Sequence, residues 1–155
     1  MKRILFVCSG NTCRSPLAEA LARKVFARTG LHVEVASAGV SAMEGVPASE
    51  NSIGVARSHR LDLSGHRARL LSGEMVRGAD LIVTMGRRHL DTVGVIEPDA
   101  LTYTRLLTDF CDDIEGDIAD PIGSDQATYE RTYLTIAKCV EGMAERLGEF
   151  EGWKR

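Results

Sequence analysis

The sequence predicts a single-domain α/β protein with a doubly wound, four-stranded parallel sheet flanked by helices. Three observations carry this. The apolar runs Ile4-Leu5-Phe6-Val7 and Leu81-Ile82-Val83-Thr84-Met85 are continuous rather than alternating, as strands covered on both faces must be. Segments of helical period separate the strand candidates, and such alternation favours right-handed crossovers between parallel strands. At 155 residues the chain suits one domain, long enough to bury roughly two thirds of its unfolded surface.

The first strand covers residues 3–7. Ser15-Pro16 then reads as a helix start, with Ser as the cap and Pro at the first helical position. Leu17, Leu21 and Val25 follow one turn apart, Ala18, Ala22 and Phe26 lie beside them, and Gly30 supplies the stop. A second strand over 33–38 ends in Ser37-Ala38-Gly39, and a helical stretch spans 48–59. Leu63-Ser64-Gly65-His66 is irregular, and a short helix is expected over 72–77. The third strand is the run at 81–85, the next helix covers 87–93, and Leu101-Thr102-Tyr103 supplies the fourth strand. Residues 109–125 carry Asp112, Asp113, Glu115, Asp117, Asp120 and Asp125 and read as a solvated acidic loop. Tyr133, Ile136, Ala137, Val140, Met143, Ala144 and Leu147 trace one face of a long amphipathic helix. This order suits a flavodoxin-like sheet. Ligands of such sheets bind outside the carboxyl ends of the strands, where Cys8, Gly39 and Gly86 fall.

Composition narrows the function. A net charge of -3 argues against a general nucleic-acid binder, which carries a basic stripe. No apolar run approaches the length of a membrane span and no signal-peptide pattern opens the chain, so a cytoplasmic protein with no membrane partner is expected. Cys8, Cys13, Cys111 and Cys139 form no zinc spacing, and His32, His59, His66 and His89 are scattered.

The chemistry is concentrated at Cys8-Ser9-Gly10-Asn11-Thr12-Cys13-Arg14-Ser15. Cys8 sits where a buried strand stops and Arg14 where a helix begins. Backbone N–H groups between them have no helical carbonyl to reach, and with the helix dipole they make an anion site. A thiol in that field is expected to be acidified. Arg14 can hold two oxygens of a phosphoryl group side-on, which a Lys cannot. The loop thus offers a nucleophile and an anion cradle together. Cys8 and Cys13 share it, so a reversible disulfide between them is sterically conceivable, with simple packing behind the loop as the other reading of Cys13.

Val7 to Pro16 resembles the signature of the low-molecular-weight protein tyrosine phosphatase family, in which a Cys and an Arg frame the phosphate loop. Asp120-Pro121 resembles the family's general-acid loop, and Ser37-Ala38-Gly39 and Gly65-His66-Arg67-Ala68-Arg69 are also similar to family segments, so the likeness spans nearly all of residues 1–155 as one phosphatase domain. The resemblance implies that Cys8 attacks phosphorus to form a phosphocysteine. Arg14 and the amides of Ser9, Gly10, Asn11, Thr12, Cys13 and Ser15 hold the phosphoryl oxygens, and Asp120 serves as general acid and then base, without metal or cofactor. Ser15 is the hydroxyl expected beside the thiolate, with capping as its alternative role. Acidic neighbours such as Asp117 would keep Asp120 protonated. Asn11, Ser37 and His66 are expected to support the loop, although His66 also reads as a satisfied core histidine. In the family a second loop cysteine such as Cys13 protects the nucleophile by disulfide formation.

Substrate choice rests on few residues. Thr12 stands where tyrosine-specific members carry Ile or Leu, Ile122-Gly123 follows Asp120-Pro121 where they carry aromatic residues, and the loop with Met43 and Glu44 lacks a Trp or Tyr. Without aromatic walls a slot loses stacking energy for phosphotyrosine. Thr12 is also found in the branch that resembles protein arginine phosphatases, and Glu44 could add charge complementarity at the rim. A phosphorylated protein, with phosphoarginine favoured and phosphotyrosine as the alternative, is the expected partner of a monomer or weak dimer. A phosphocysteine carrier would not need Arg14 or Asp120. A non-catalytic phosphate-binding module would not need Cys8. An arsenate reductase needs a relay pair of cysteines, and Cys111 and Cys139 read as too far apart for one.

Overall fold

The computed structural model describes residues 1–153. Its strands are β1 (Lys2–Cys8), β2 (Val33–Gly39), β3 (Leu81–Thr84) and β4 (Thr104–Leu106). They form one four-stranded sheet in the order β2-β1-β3-β4, and every pairing is parallel. The helices are α1 (Arg14–Arg28), α2 (Glu50–Ser58), α3 (Gly73–Gly78), α4 (Arg87–Ile96) and α5 (Gln126–Leu147).

The strands read as continuous apolar runs because two cores share them. Ile4, Phe6 and Cys8 of β1 enter the core that holds α1 and α5, while Leu5 and Val7 point to the opposite face with Val76 of α3 and Val93 of α4. Successive side chains of a strand alternate between faces, so a strand buried on both sides needs an apolar residue at every position. On α5, Tyr133, Ile136, Val140, Met143, Ala144 and Leu147 are buried as their spacing predicts, with Ala137 partly so. Gly30 ends α1 as expected: its φ of 78° lets Leu31 N–H donate to Phe26 O at 3.0 Å.

Three sequence expectations are corrected. Leu101-Thr102-Tyr103 is not a strand. It closes a 3-10 helix over Pro98–Tyr103, and the fourth strand follows it, with Thr104 opposite Ile82 and Leu106 opposite Thr84. Pro98 presets the backbone for that turn, and Thr104 Oγ1 ties it back to Ala100 O at 2.7 Å, so local turn chemistry outweighs strand propensity. The acidic loop is not simply solvated either. Asp113 pairs with Lys138, Asp112 Oδ1 accepts from Arg146 Nη2 at 2.9 Å, and Asp125 caps α5 through Thr128 N–H. Finally, Cys111 and Cys139 are far apart in the chain only: Cys111 packs against the core that holds Cys139, whose thiol is pushed up by burial and then by Cys111. Among the described residues no helix is long and apolar enough to cross a membrane.

The carboxyl ends of β1, β2 and β3 converge at one rim. Val40 N–H donates to Cys8 O at 2.9 Å, Met85 N–H to Val7 O at 3.0 Å, and Ile118 N–H to Met85 O at 2.8 Å. That rim carries the residues the sequence singled out.

Candidate active site

The loop after β1 turns on Asn11, whose φ of 57° is left-handed. Asparagine tolerates this region better than bulkier residues, and here four hydrogen bonds hold it. Asn11 Nδ2 donates to Ser15 Oγ at 2.8 Å and Ser37 Oγ at 2.9 Å, Oδ1 accepts from Arg69 N–H at 3.0 Å, and the Asn11 carbonyl accepts from His66 Nε2 at 2.7 Å. Ser37 and His66 are thus brought to the loop as expected. His66 is half-buried at the site, which corrects its reading as a core histidine. Ser37 Oγ donates onward to Glu19 Oε1 at 2.6 Å. Glu19 was missed by sequence reasoning, although its place four residues after Ser15 on α1 sets the two on one helix face.

Ser15 is not a helix cap. Helix α1 begins one residue earlier at Arg14, the cap position is Cys13 without a side-chain bond, and Pro16 sits within the first turn, where its missing N–H costs nothing. The hydroxyl is instead 2.9 Å from Cys8 Sγ. Because Ser15 Oγ accepts from Asn11, its own proton is free to donate to the sulfur. Burial nevertheless pushes the Cys8 thiol up, against the pull of the Ser15 hydroxyl, the Ser15 amide, Arg14 and the Asn11 amide. Burial thus qualifies the expectation of an acidified thiol: at 2% exposure the thiolate depends on these donors to offset desolvation.

Arg14 is buried beneath the rim. Its Nη1 donates to Ile118 O at 2.7 Å, and its Nη2 reaches Ser9 Oγ at 3.4 Å and Asp120 Oδ2 at 3.5 Å. Nε is buried without a partner. An orphaned buried guanidinium N–H is costly, and a phosphoryl oxygen in the loop would satisfy it. Asp120 itself is partly exposed, and its Oδ1 accepts from Ile122 N–H at 3.1 Å, a turn built over Pro121. Asp117 is held differently. Its Oδ1 accepts from Arg87 N–H at 2.9 Å and so serves the amino end of α4.

A cleft of about 200 Å³ opens here, lined by Ser9, Arg14, His89, Asp117, Ile118 and Asp120 among others. Thr12, Met43, Glu44 and Ile122 do not line it. Thr12 is half-buried with Oγ1 3.7 Å from Cys13 Sγ, and Met43 and Ile122 are exposed. Glu44 is not a free rim charge, because its Oε1 accepts from Leu70 N–H at 2.6 Å. Cys13 packs behind the loop, 3.3 Å from Ser49 Oγ and 3.4 Å from Tyr129 Oη. His89 is the second residue that sequence reasoning passed over. Its signal was its place in the first turn of the helix that follows β3.

Gly39, opposite Cys8 in the β1–β2 register, is the residue that lets this loop pack on β2. A Cβ there would lie 2.4 Å from Ser9 O and 2.9 Å from Asn11 N, both backbone atoms. Gly39→Ala should therefore displace the loop and lower kcat/KM for an aryl phosphate on the order of a hundredfold. Unchanged kinetics in a folded variant would show that the loop tolerates the shift.

A doubly wound sheet that presents a thiol and a guanidinium in one loop at a helix start, with a carboxylate above them, defines a cysteine-dependent phosphatase. The chain belongs to the low molecular weight phosphotyrosine protein phosphatase family, whose model matches residues 3–151. It is 37% identical over 144 residues to the low molecular weight protein-tyrosine-phosphatase Etp of Escherichia coli K12, covering 93% of each chain. It is also 37% identical over 145 residues to a protein-arginine-phosphatase of Geobacillus stearothermophilus, covering 94% of this chain and 95% of the relative. The solved YwlE arginine phosphatase from Geobacillus stearothermophilus superposes with a TM-score of 0.88 at 36% identity, covering 96% of this chain and 94% of that one.

Proposed function

We propose that this chain removes phosphate from protein side chains through a phosphocysteine intermediate, with phosphoarginine as the favoured substrate. The observation that carries the reading is the place of Asp120. Its carboxylate lines the cleft, 3.5 Å from Arg14 Nη2 and partly open to solvent, where it can reach the leaving group of a bound phosphoryl substrate. Cys8 as thiolate attacks phosphorus, and the bond to the leaving nitrogen or oxygen breaks as Asp120 delivers its proton to that atom. Water then attacks the phosphocysteine and gives a proton to Asp120. Phosphate leaves and the thiolate is restored. Arg14 Nε and Nη2 and the loop amides offset the charge of the equatorial oxygens, while the Ser15 hydroxyl and the amides of Ser15 and Asn11 favour the thiolate against burial.

Two carboxylates line the cleft, and no Phe, Tyr or Trp is among its described lining residues. A planar, cationic guanidinium gains from a carboxylate that can bind it as well as protonate it, whereas a phenyl ring gains from aromatic walls. Thr12 supports the same reading through its likeness to the arginine-phosphatase branch. Phosphotyrosine is the second reading, favoured by the equal identity to a tyrosine phosphatase. Four unpaired thiols suit a reducing compartment, and we place the protein in the cytoplasm.

The test is turnover on phosphoarginine and phosphotyrosine peptides, with Thr12 and with Thr12→Ile. The wild type should prefer phosphoarginine by about tenfold or more in kcat/KM, and the variant should lose that preference. A wild-type preference for phosphotyrosine overturns the substrate assignment while leaving the phosphatase reading intact.

A further inference from the structure

His89 and Ser9 form a pair that the mechanism above does not use. His89 is 3% exposed, and its Nε2 lies 2.9 Å from Ser9 Oγ. Ser9 Oγ is also 3.4 Å from Arg14 Nη2, which can only donate, so the hydroxyl oxygen accepts there. The same Nη2 is 3.5 Å from Asp120 Oδ2. Ser9 therefore stands beside the acid, at the edge of the cradle, and lines the cleft.

The tautomer of His89 decides what Ser9 can do. Nδ1 is buried without a partner. With the proton on Nδ1, the ring would bury an orphaned N–H. With the proton on Nε2, it leaves only an unfilled acceptor, the more tolerable of the two. Ser9 Oγ then accepts from both His89 and Arg14, which uses both lone pairs and leaves its own proton to donate. The ring is neutral near pH 7: burial, Arg14 and Arg88 push its pKa down to about 4, against a smaller upward pull from Asp117 and Asp120.

We propose that His89 is a positioning residue of the phosphoryl site: as the Nε2–H tautomer it fixes Ser9, whose hydroxyl donates its proton to a phosphoryl oxygen on the Asp120 side of the cradle. Ser9 is thereby a further phosphoryl-binding residue supplied by its side chain, in addition to its amide. The proposal rests on the phosphatase reading, and its test separates the two.

Inorganic phosphate, as a competitive inhibitor of p-nitrophenyl phosphate turnover by the full chain, is the probe. Ser9→Ala and His89→Phe should each raise its inhibition constant about three- to tenfold, the loss of one hydrogen bond to a charged group. Because both remove the same donor, the double variant should be no worse than either single one. His89→Gln, which keeps an N–H near Nε2, and Ser9→Thr, which keeps the hydroxyl, should restore the constant to within about twofold of wild type. Multiplied losses in the double variant, an unchanged constant in Ser9→Ala, or failure of His89→Gln to rescue overturns the proposal. Should His89→Phe not fold, the comparison of Ser9→Ala with Ser9→Thr decides it. A wild type that binds phosphate calorimetrically but turns over no phosphoester would remove the phosphatase reading instead, and the same variants compared by calorimetry would still decide the role of Ser9.

Discussion

Replacing Cys8 with serine should abolish turnover while phosphate binding survives. The oxygen of Cys8→Ser would occupy the same buried position beside Ser15 Oγ, which is 2.9 Å from the native sulfur. The groups that act on that atom are donors, namely the Ser15 hydroxyl, the Ser15 and Asn11 amides and the Arg14 guanidinium, so none of them takes the proton of an alcohol. These groups stabilise an anion that a thiol can form and an alcohol at neutral pH cannot. Loss of the nucleophile should reduce kcat on the order of a millionfold, the scale seen when a nucleophile is removed from a preorganised site. Arg14 and the loop remain, so calorimetric binding of inorganic phosphate should stay within about threefold of wild type. Residual turnover within about a hundredfold of wild type would assign the chemistry to another group.

Asp120→Asn should lower kcat about a hundred- to ten-thousandfold, and Asp117→Asn by less than about tenfold. The two carboxylates line one cleft but are held by different elements. Asp117 Oδ1 serves the Arg87 amide at the start of α4, a task that an Asn side-chain oxygen also performs. Asp120 Oδ2 faces Arg14, and its turn through Ile122 N–H survives the change to Asn, so the variant loses the transferable proton together with the pairing to Arg14. The deficit should shrink as the leaving group improves, because a phenolate of low pKa needs no proton. Comparing phenyl phosphate with p-nitrophenyl phosphate measures this directly. Equal losses in the two Asp variants would remove Asp120 from the role proposed for it.

The parts legible in the sequence were those carried by short-range pattern. Continuous apolar runs gave β1 and β3, helical period gave α1 and α5, and the spacing of Cys8 and Arg14 put a thiol and a guanidinium in one loop. Local pattern also misled. Leu101-Thr102-Tyr103 has strand composition, but Pro98 and the Thr104 hydroxyl draw it into a 3-10 turn. Ser15 next to Pro16 has the form of a cap, but the helix starts at Arg14 and turns the hydroxyl toward Cys8.

What only the tertiary structure decided is which distant side chains meet. His66 lies 55 residues from Asn11, and His89 lies 80 residues from Ser9. The onward bond from Ser37 to Glu19 and the separate employment of Asp117 and Asp120 are likewise products of crossovers that bring strand ends to one rim. By itself the sequence determined the class of fold and the placing of the Cys8 thiol and the Arg14 guanidinium in one loop, because a strand, a loop and a helix start are contiguous in the chain. The packed sheet decided the burial of the Cys8 thiol, the burial of His89 and the contacts that Ser9 makes with His89 and Arg14. Those depend on burial and on partners from other elements, which no local pattern records.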